Sequence, residues 1–106
     1  WREPDPALEL LLPLAETHPN QYEVVAGLGF AYYFKNDFAR SAEYLERAAA
    51  IRAAGPSLLN VLADCHERLG DREQARQLLE RSLEMDPNQE SIRERLAALT
   101  ASVGQK

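Results

Sequence analysis

Asp64-Cys65-His66-Glu67 is the one stretch in which the side chains of a nucleophile, a base and two carboxylates stand together. Thiol catalysis needs the sulfur and the imidazole within hydrogen-bond reach of each other, with a third group orienting the base. The flanking Leu58, Leu59, Leu62 and Leu69 follow a helical period, and adjacent residues on a helix point about 100° apart. Cys65 and His66 therefore cannot face one another. Cys65 is expected in the core, His66 between helices, and His18 solvated in a turn. No second His or Cys lies at metal-ligand spacing, and neither a glycine-rich phosphate loop nor a G-x-S-x-G elbow is present. The sequence predicts no catalytic residue, no metal and no cofactor, so the chain is read as a non-enzyme.

The other chemistry on offer is aromatic. Asn20 to Lys35, NQYEVVAGLGFAYYFK, reads as a helix with two apolar stripes. Val25, Leu28, Gly29 and Tyr32 form one stripe, and Phe30, Tyr33 and Phe34 form a second, about a quarter to a third of a turn away. One core cannot take both. The first stripe is assigned to the fold, and the second to a ligand, another subunit or sequence upstream of Trp1.

Composition limits the partners. The chain has 106 residues, 45% of them apolar, and a net charge of -5, which suits one domain or a piece of one. Arginines alternate with glutamates along the helices and form no basic stripe for a phosphate backbone, so nucleic acid is not an expected partner. No apolar run reaches the roughly 18 to 20 residues of a membrane span. The single Cys65 cannot form an internal disulfide, which fits a reducing compartment and favours the cytoplasm. With Trp1 rather than Met in first place and nothing resembling a signal peptide, the segment is expected to come from a longer or processed chain.

The elements that position these groups repeat. A shift of 34 residues brings Leu28 onto Leu62 and Leu96, Gly29 onto Ala63 and Ala97, Asn36 onto Gly70 and Gly104, and Asp37 onto Asp71. Leu45 falls on Leu79 and Leu11, Ser41 on Ala75 and Ala7, and Pro19-Asn20 on Pro87-Asn88 two periods away. A match carried through helices and turns alike marks an array of helical hairpins.

The chain resembles the tetratricopeptide repeat (TPR) family through Leu28-Gly29, Tyr32, Asn36-Asp37-Phe38, Leu45 and Ala48, and again through Leu62-Ala63, Gly70-Asp71, Ala75, Leu79 and Pro87. It departs at Val25 and Leu59, where the family often has Trp, and at His66 and Ala53, which replace Tyr and Pro. The resemblance implies an all-α solenoid of antiparallel helical hairpins with a period of 34 residues and about six helices. Residues 1–19 are then the second helix of a truncated repeat. Residues 20–53 and 54–87 are repeats, and 88–106 a capping helix and tail. The first helix of the truncated repeat would precede residue 1.

Local signals set the expected boundaries. Asp5-Pro6 starts a helix over 7–17, with a kink or unwinding at Pro13. Asn20 and Glu23 form a capping-box-like pair. Asn36-Asp37, Gly55-Pro56 and Gly70-Asp71 separate helices over 38–53, 57–69 and 72–85, with Asp71 and Gln74 a second capping pair. Asp86-Pro87-Asn88 leads into a last helix to about 103. Ala42, Leu45, Ala48, Ala49 and Ile51 are expected to supply apolar contacts in the third helix, and Leu58, Leu59, Leu62, Cys65 and Leu69 in the fourth.

In the family the first helix of each hairpin lines a concave groove, which here would present Phe30, Tyr33 and Phe34, then Asn60, Val61, Asp64, Glu67 and Arg68, then Arg95 and Ala98. Members that clamp a C-terminal carboxylate place Lys and Asn where Ala26, Phe30 and Val61 stand, and only Arg95 fits. The Asn ladder of O-linked glycosyltransferases would need Asn at Gly27, Val61 and Arg95 and is absent. The expected function is a non-enzymatic scaffold that binds a protein or peptide, with the aromatics taking an apolar segment and the polar set selecting it. The alternatives are a homo-oligomerisation module and a regulatory segment of a larger enzyme. Five leucines surround the helix over 7–17, so a homodimer is expected through Leu8, Leu11 and Leu12.

Overall fold

The computed structural model describes residues 5–104, with side chains through residue 101. The described residues form six α-helices in two compact units that divide between Ala53 and Ala54. The first unit holds α1 (Pro6–Thr17), α2 (Tyr22–Phe34) and α3 (Phe38–Ile51). The second holds α4 (Pro56–Arg68), α5 (Arg72–Met85) and α6 (Glu90–Gly104).

The turn chemistry explains where α2 and α4 stop. Asn36 has φ 64° and Gly70 φ 91°, the left-handed conformation that a short polar side chain or glycine accepts. The Asn36 amide donates to Tyr33 O at 3.0 Å and the Asp37 amide to Tyr32 O at 3.0 Å; Gly70 to Glu67 O at 3.1 Å and Asp71 to His66 O at 2.8 Å repeat the pattern. Both turns are thus the paired C-terminal motif of helices, and each next residue caps the following helix. Asp37 accepts from Arg40 N at 3.2 Å, and Asp71 from Gln74 N at 3.1 Å. So short a link returns the chain antiparallel on itself. Asp5 caps α1 as expected, accepting from Ala7 N at 3.0 Å and Leu8 N at 3.3 Å.

Three local expectations fail. Asn20 caps nothing: the N-cap of α2 is Gln21, without a side-chain bond. Pro13 does not unwind α1, which runs unbroken from Pro6 to Thr17, and the helix is exposed at this position, where a carbonyl left without its amide partner can meet water. Leu69 and Ile51 are not inner residues; they are 51% and 39% exposed, each at a helix end where the turn carries it outward.

In the first unit Val24, Leu28 and Tyr32 of α2 pack with Leu8, Leu11 and Ala15 of α1 and Tyr44 of α3. The contact of α2 with α3 is close. A β-carbon on Gly29 would sit 2.4 Å from Leu45 Cδ2 and 3.2 Å from Leu45 N, and the buried Ser41 hydroxyl donates to Gly29 O at 2.7 Å. In the second unit α4 buries Leu58, Leu59, Leu62, Ala63 and Cys65, α5 buries Ala75, Leu78, Leu79 and Ser82, and α6 buries Leu99. Gln89 ties the α5–α6 link in place: its amide nitrogen donates to Ser82 Oγ at 3.0 Å and Asp86 O at 2.9 Å, while its oxygen accepts from Asn60 Nδ2 at 2.8 Å.

Candidate protein-interaction surfaces

The catalytic-looking stretch is dispersed by its helix. Cys65 is completely buried, and the His66 ring lies against the next helix start, Nδ1 4.0 Å from Asp71 Oδ2. Asp64 and Glu67 point instead toward α6, and no group of three or more His, Cys, Asp or Glu among the described residues could hold a metal ion.

The aromatic stripe of α2 is only partly free. Phe30 and Tyr33 are half-buried. Tyr33 meets Phe38 edge-on at 5.9 Å between centroids and Phe34 edge-on at 5.6 Å. Phe34, the last residue of α2, is 79% exposed. The α2–α3 turn therefore fixes an aromatic cluster whose outermost ring stands in water.

The polar set sits in the second unit as one ion-pair network. Asp64 is 3% exposed. Its Oδ2 accepts from Arg68 Nε at 3.1 Å, its Oδ1 pairs with Arg95 Nη2, and Arg95 Nε donates to Glu67 Oε1 at 3.0 Å. Burial alone would lower the Arg95 proton affinity, but Asp64 and Glu67 outweigh it and leave the guanidinium pKa raised. These side chains answer one another across α4 and α6, while Asn60 is bound to Gln89.

The self-association leucines separate. Leu8 and Leu11 are partly buried against α2, while Leu10, Leu12 and Leu14 are 66%, 38% and 38% exposed. Residues one helical turn apart share a face, and the α1 face toward α2 is set by Leu8, Leu11 and Ala15. Five leucines in seven positions do not reveal which side α2 takes.

Residues 35–102 match the family model described as Tetratricopeptide repeat. The chain belongs to the tetratricopeptide repeat family. Its TPR fold is similar to the crystal structure of MamA, at TM-score 0.84 and 15% identity over 92% of this chain and 57% of that one. It is similar too to the crystal structure of TTC0263, a thermophilic TPR protein in Thermus thermophilus, at TM-score 0.71 and 21% identity over 91% and 49%. The TPR chain thus spans about half the length of these solved proteins. No curated protein sequence matches it. TPR folds generally serve as protein–protein interaction modules and are typically non-enzymatic scaffolds that bind proteins or peptides. No helix among the described residues is long and apolar enough to cross a membrane.

Proposed function

We propose that this TPR segment is a scaffold module, with repeats over 20–53 and 54–87, that binds an apolar or aromatic peptide segment on the α2 face bearing Phe30, Tyr33 and Phe34. The observation that carries the reading is Phe34, which stands 79% exposed on a cluster already held edge-on by Tyr33 and Phe38. An aromatic ring held in place and left in water loses little conformational entropy when a partner covers it, and exposed aromatics of this kind are the usual anchors of interfaces.

The polar set has a second role in this reading. Asn60, Asp64, Glu67, Arg68 and Arg95 mostly bind one another, so a charged peptide terminus is not the expected ligand, and selection rests on shape and apolar character.

Selection of a displayed random peptide library against the chain should enrich sequences with a bulky apolar or aromatic residue. Phe34→Ser, alone and with Phe30→Ser, should abolish their binding while helical content is kept. Absence of enrichment, or equal binding by Phe34→Ser, would overturn the reading. A large fall in melting temperature for Phe34→Ser would instead make the ring part of the core. Self-association is the second reading, favoured by the exposure of Leu10, Leu12 and Leu14 on α1.

A further inference from the structure

Three rings of the first unit are each covered by an arginine of the same unit. Arg52 lies 4.3 Å from the Tyr22 ring centroid, Arg47 5.2 Å from that of Tyr44 and Arg40 5.7 Å from that of Tyr32. The guanidinium suits this place because it is planar, weakly hydrated and drawn to the negative face of a ring. Phe34 stands apart. It is 79% exposed, its ring contact is the edge-on one with Tyr33, and among the described residues no cation lies over it. It also stands at an internal turn, with described chain on both sides.

The charge around this ring points the same way. Phe34 ends α2, where the helix dipole places partial negative charge on the last carbonyls. The last turn of α2 carries no basic residue, whereas that of α4 carries His66 and Arg68. Arg68 is the residue one period after Phe34, so the second repeat supplies a guanidinium at the position where the first has an open ring. Lys35, which follows Phe34, is paired with Asp5 at 3.7 Å, and Arg40 and Arg52 are paired with Asp37 and Glu23. Residues 5–53 hold seven carboxylates against four cations, a balance that draws cationic partners.

We propose that the peptide segment bound on α2 carries an arginine beside its apolar anchor, with the guanidinium stacked on the Phe34 ring at the carbonyl end of the helix. The inference rests on the peptide reading above and names the charge that the partner adds to it. The arginine lies within the segment and is not its terminus. A lysine fits less well, because its ammonium is a compact, strongly hydrated charge that cannot lie flat on a ring. An acidic side chain is repelled by the helix end and by the excess of carboxylates.

The test starts from a displayed random peptide library selected against the chain. Enriched sequences should carry Arg beside the apolar or aromatic residue, ahead of Lys, with Asp and Glu depleted. The most enriched peptide is then synthesised with Arg, with Lys and with citrulline, which keeps the shape of Arg and loses its charge, and each is titrated by fluorescence anisotropy. The Arg peptide should bind roughly two- to five-fold more tightly than the citrulline peptide. Phe34→Leu keeps an apolar side chain and removes the ring, and should bring that ratio to one with an unchanged circular-dichroism spectrum; Phe34→Trp should raise it. Equal binding of the Arg and citrulline peptides, or a ratio that survives Phe34→Leu, overturns the inference. Enrichment of apolar sequences without arginine overturns it and leaves the peptide reading standing, whereas no enrichment at all removes both. Were Phe34→Leu to lose its helices, the ratio on the parent and on Phe34→Trp still decides.

Discussion

Hairpin α2–α3 closes around a glycine and stacked rings, whereas α4 carries a buried alanine, Ala63, at the matching position, in a unit that also holds a buried carboxylate. Tyr32 and Tyr44 stack at 5.6 Å between centroids with planes 8° apart. Arg40 lies 5.7 Å over Tyr32 and Arg47 5.2 Å over Tyr44. The second unit has no described aromatic side chain of the Phe, Tyr or Trp type; Asp64 is met there by Arg68 and Arg95, and Arg76 joins Glu73 to Glu80 on the surface of α5. The shared parts are the register, the left-handed turn residue and the capping aspartate. The repeat therefore dictates how two helices cross and turn, and leaves open what else holds them.

The largest expected effect tests the shared part. Leu28→Asp and Leu62→Asp each place a charge where a leucine is 0% and 3% exposed, losing roughly 1.5 to 3 kcal/mol of burial before any charge penalty. Both should remove the cooperative helical melt. An unchanged spectrum and melting temperature in Leu62→Asp would break the register itself.

Opposite substitutions at equivalent positions sharpen the difference. Gly29→Ala sets a β-carbon 2.4 Å from Leu45 Cδ2 and should cost about 1 to 3 kcal/mol. Ala63→Gly should cost about 0.5 to 1 kcal/mol through helix propensity. Equal losses in thermal melts would mean that the two crossings are equally close.

Salt separates the units further. Arg95→Gln leaves the buried Asp64 with fewer cationic partners, at about 1 to 2 kcal/mol, a modest figure because Arg95 itself is partly exposed. Tyr44→Leu should cost about 0.5 to 1.5 kcal/mol from the lost stack. Added salt should shrink the Arg95 effect and leave the Tyr44 effect nearly unchanged; the reverse ranking would refute this division of labour.

The smallest effect is a titration. Hydrogen bonds from Arg76 and then Gln77 hold the Glu73 carboxyl below the usual carboxylate value. Its contribution is present above the unfolded pKa and lost as pH falls through the folded one. Glu73 is exposed, so the change should appear in its NMR titration rather than in the melt. Arg76→Gln should return the carboxyl toward the ordinary value.

Much of this fold is written in local chemistry. Asn36-Asp37 and Gly70-Asp71 announce both turns because left-handed backbone and a capping carboxylate each require particular residues. Asn20 misleads for the same reason, since an Asn before a Glu has capping chemistry even where the chain enters the helix one residue later. The surfaces are less legible. Asp64 and Arg68 are neighbours on one helix and could be paired from spacing alone, but Arg95 reaches Asp64 across 31 positions, which only packing brings about. The exposure of Leu10 rather than Leu8 likewise follows from which side α2 takes.

Cys65, the only thiol and completely buried, makes the second unit its own clock. A thiol reagent reacts with the exposed thiolate, so modification must wait for α4 to open. Where reclosing outpaces reaction, the labelling rate follows the equilibrium population of the opened form. The first unit has no cysteine and adds no label of its own. A peptide bound on α2 that slows the labelling would report energetic coupling between the two units, and one that leaves it unchanged would show that the hairpins open independently.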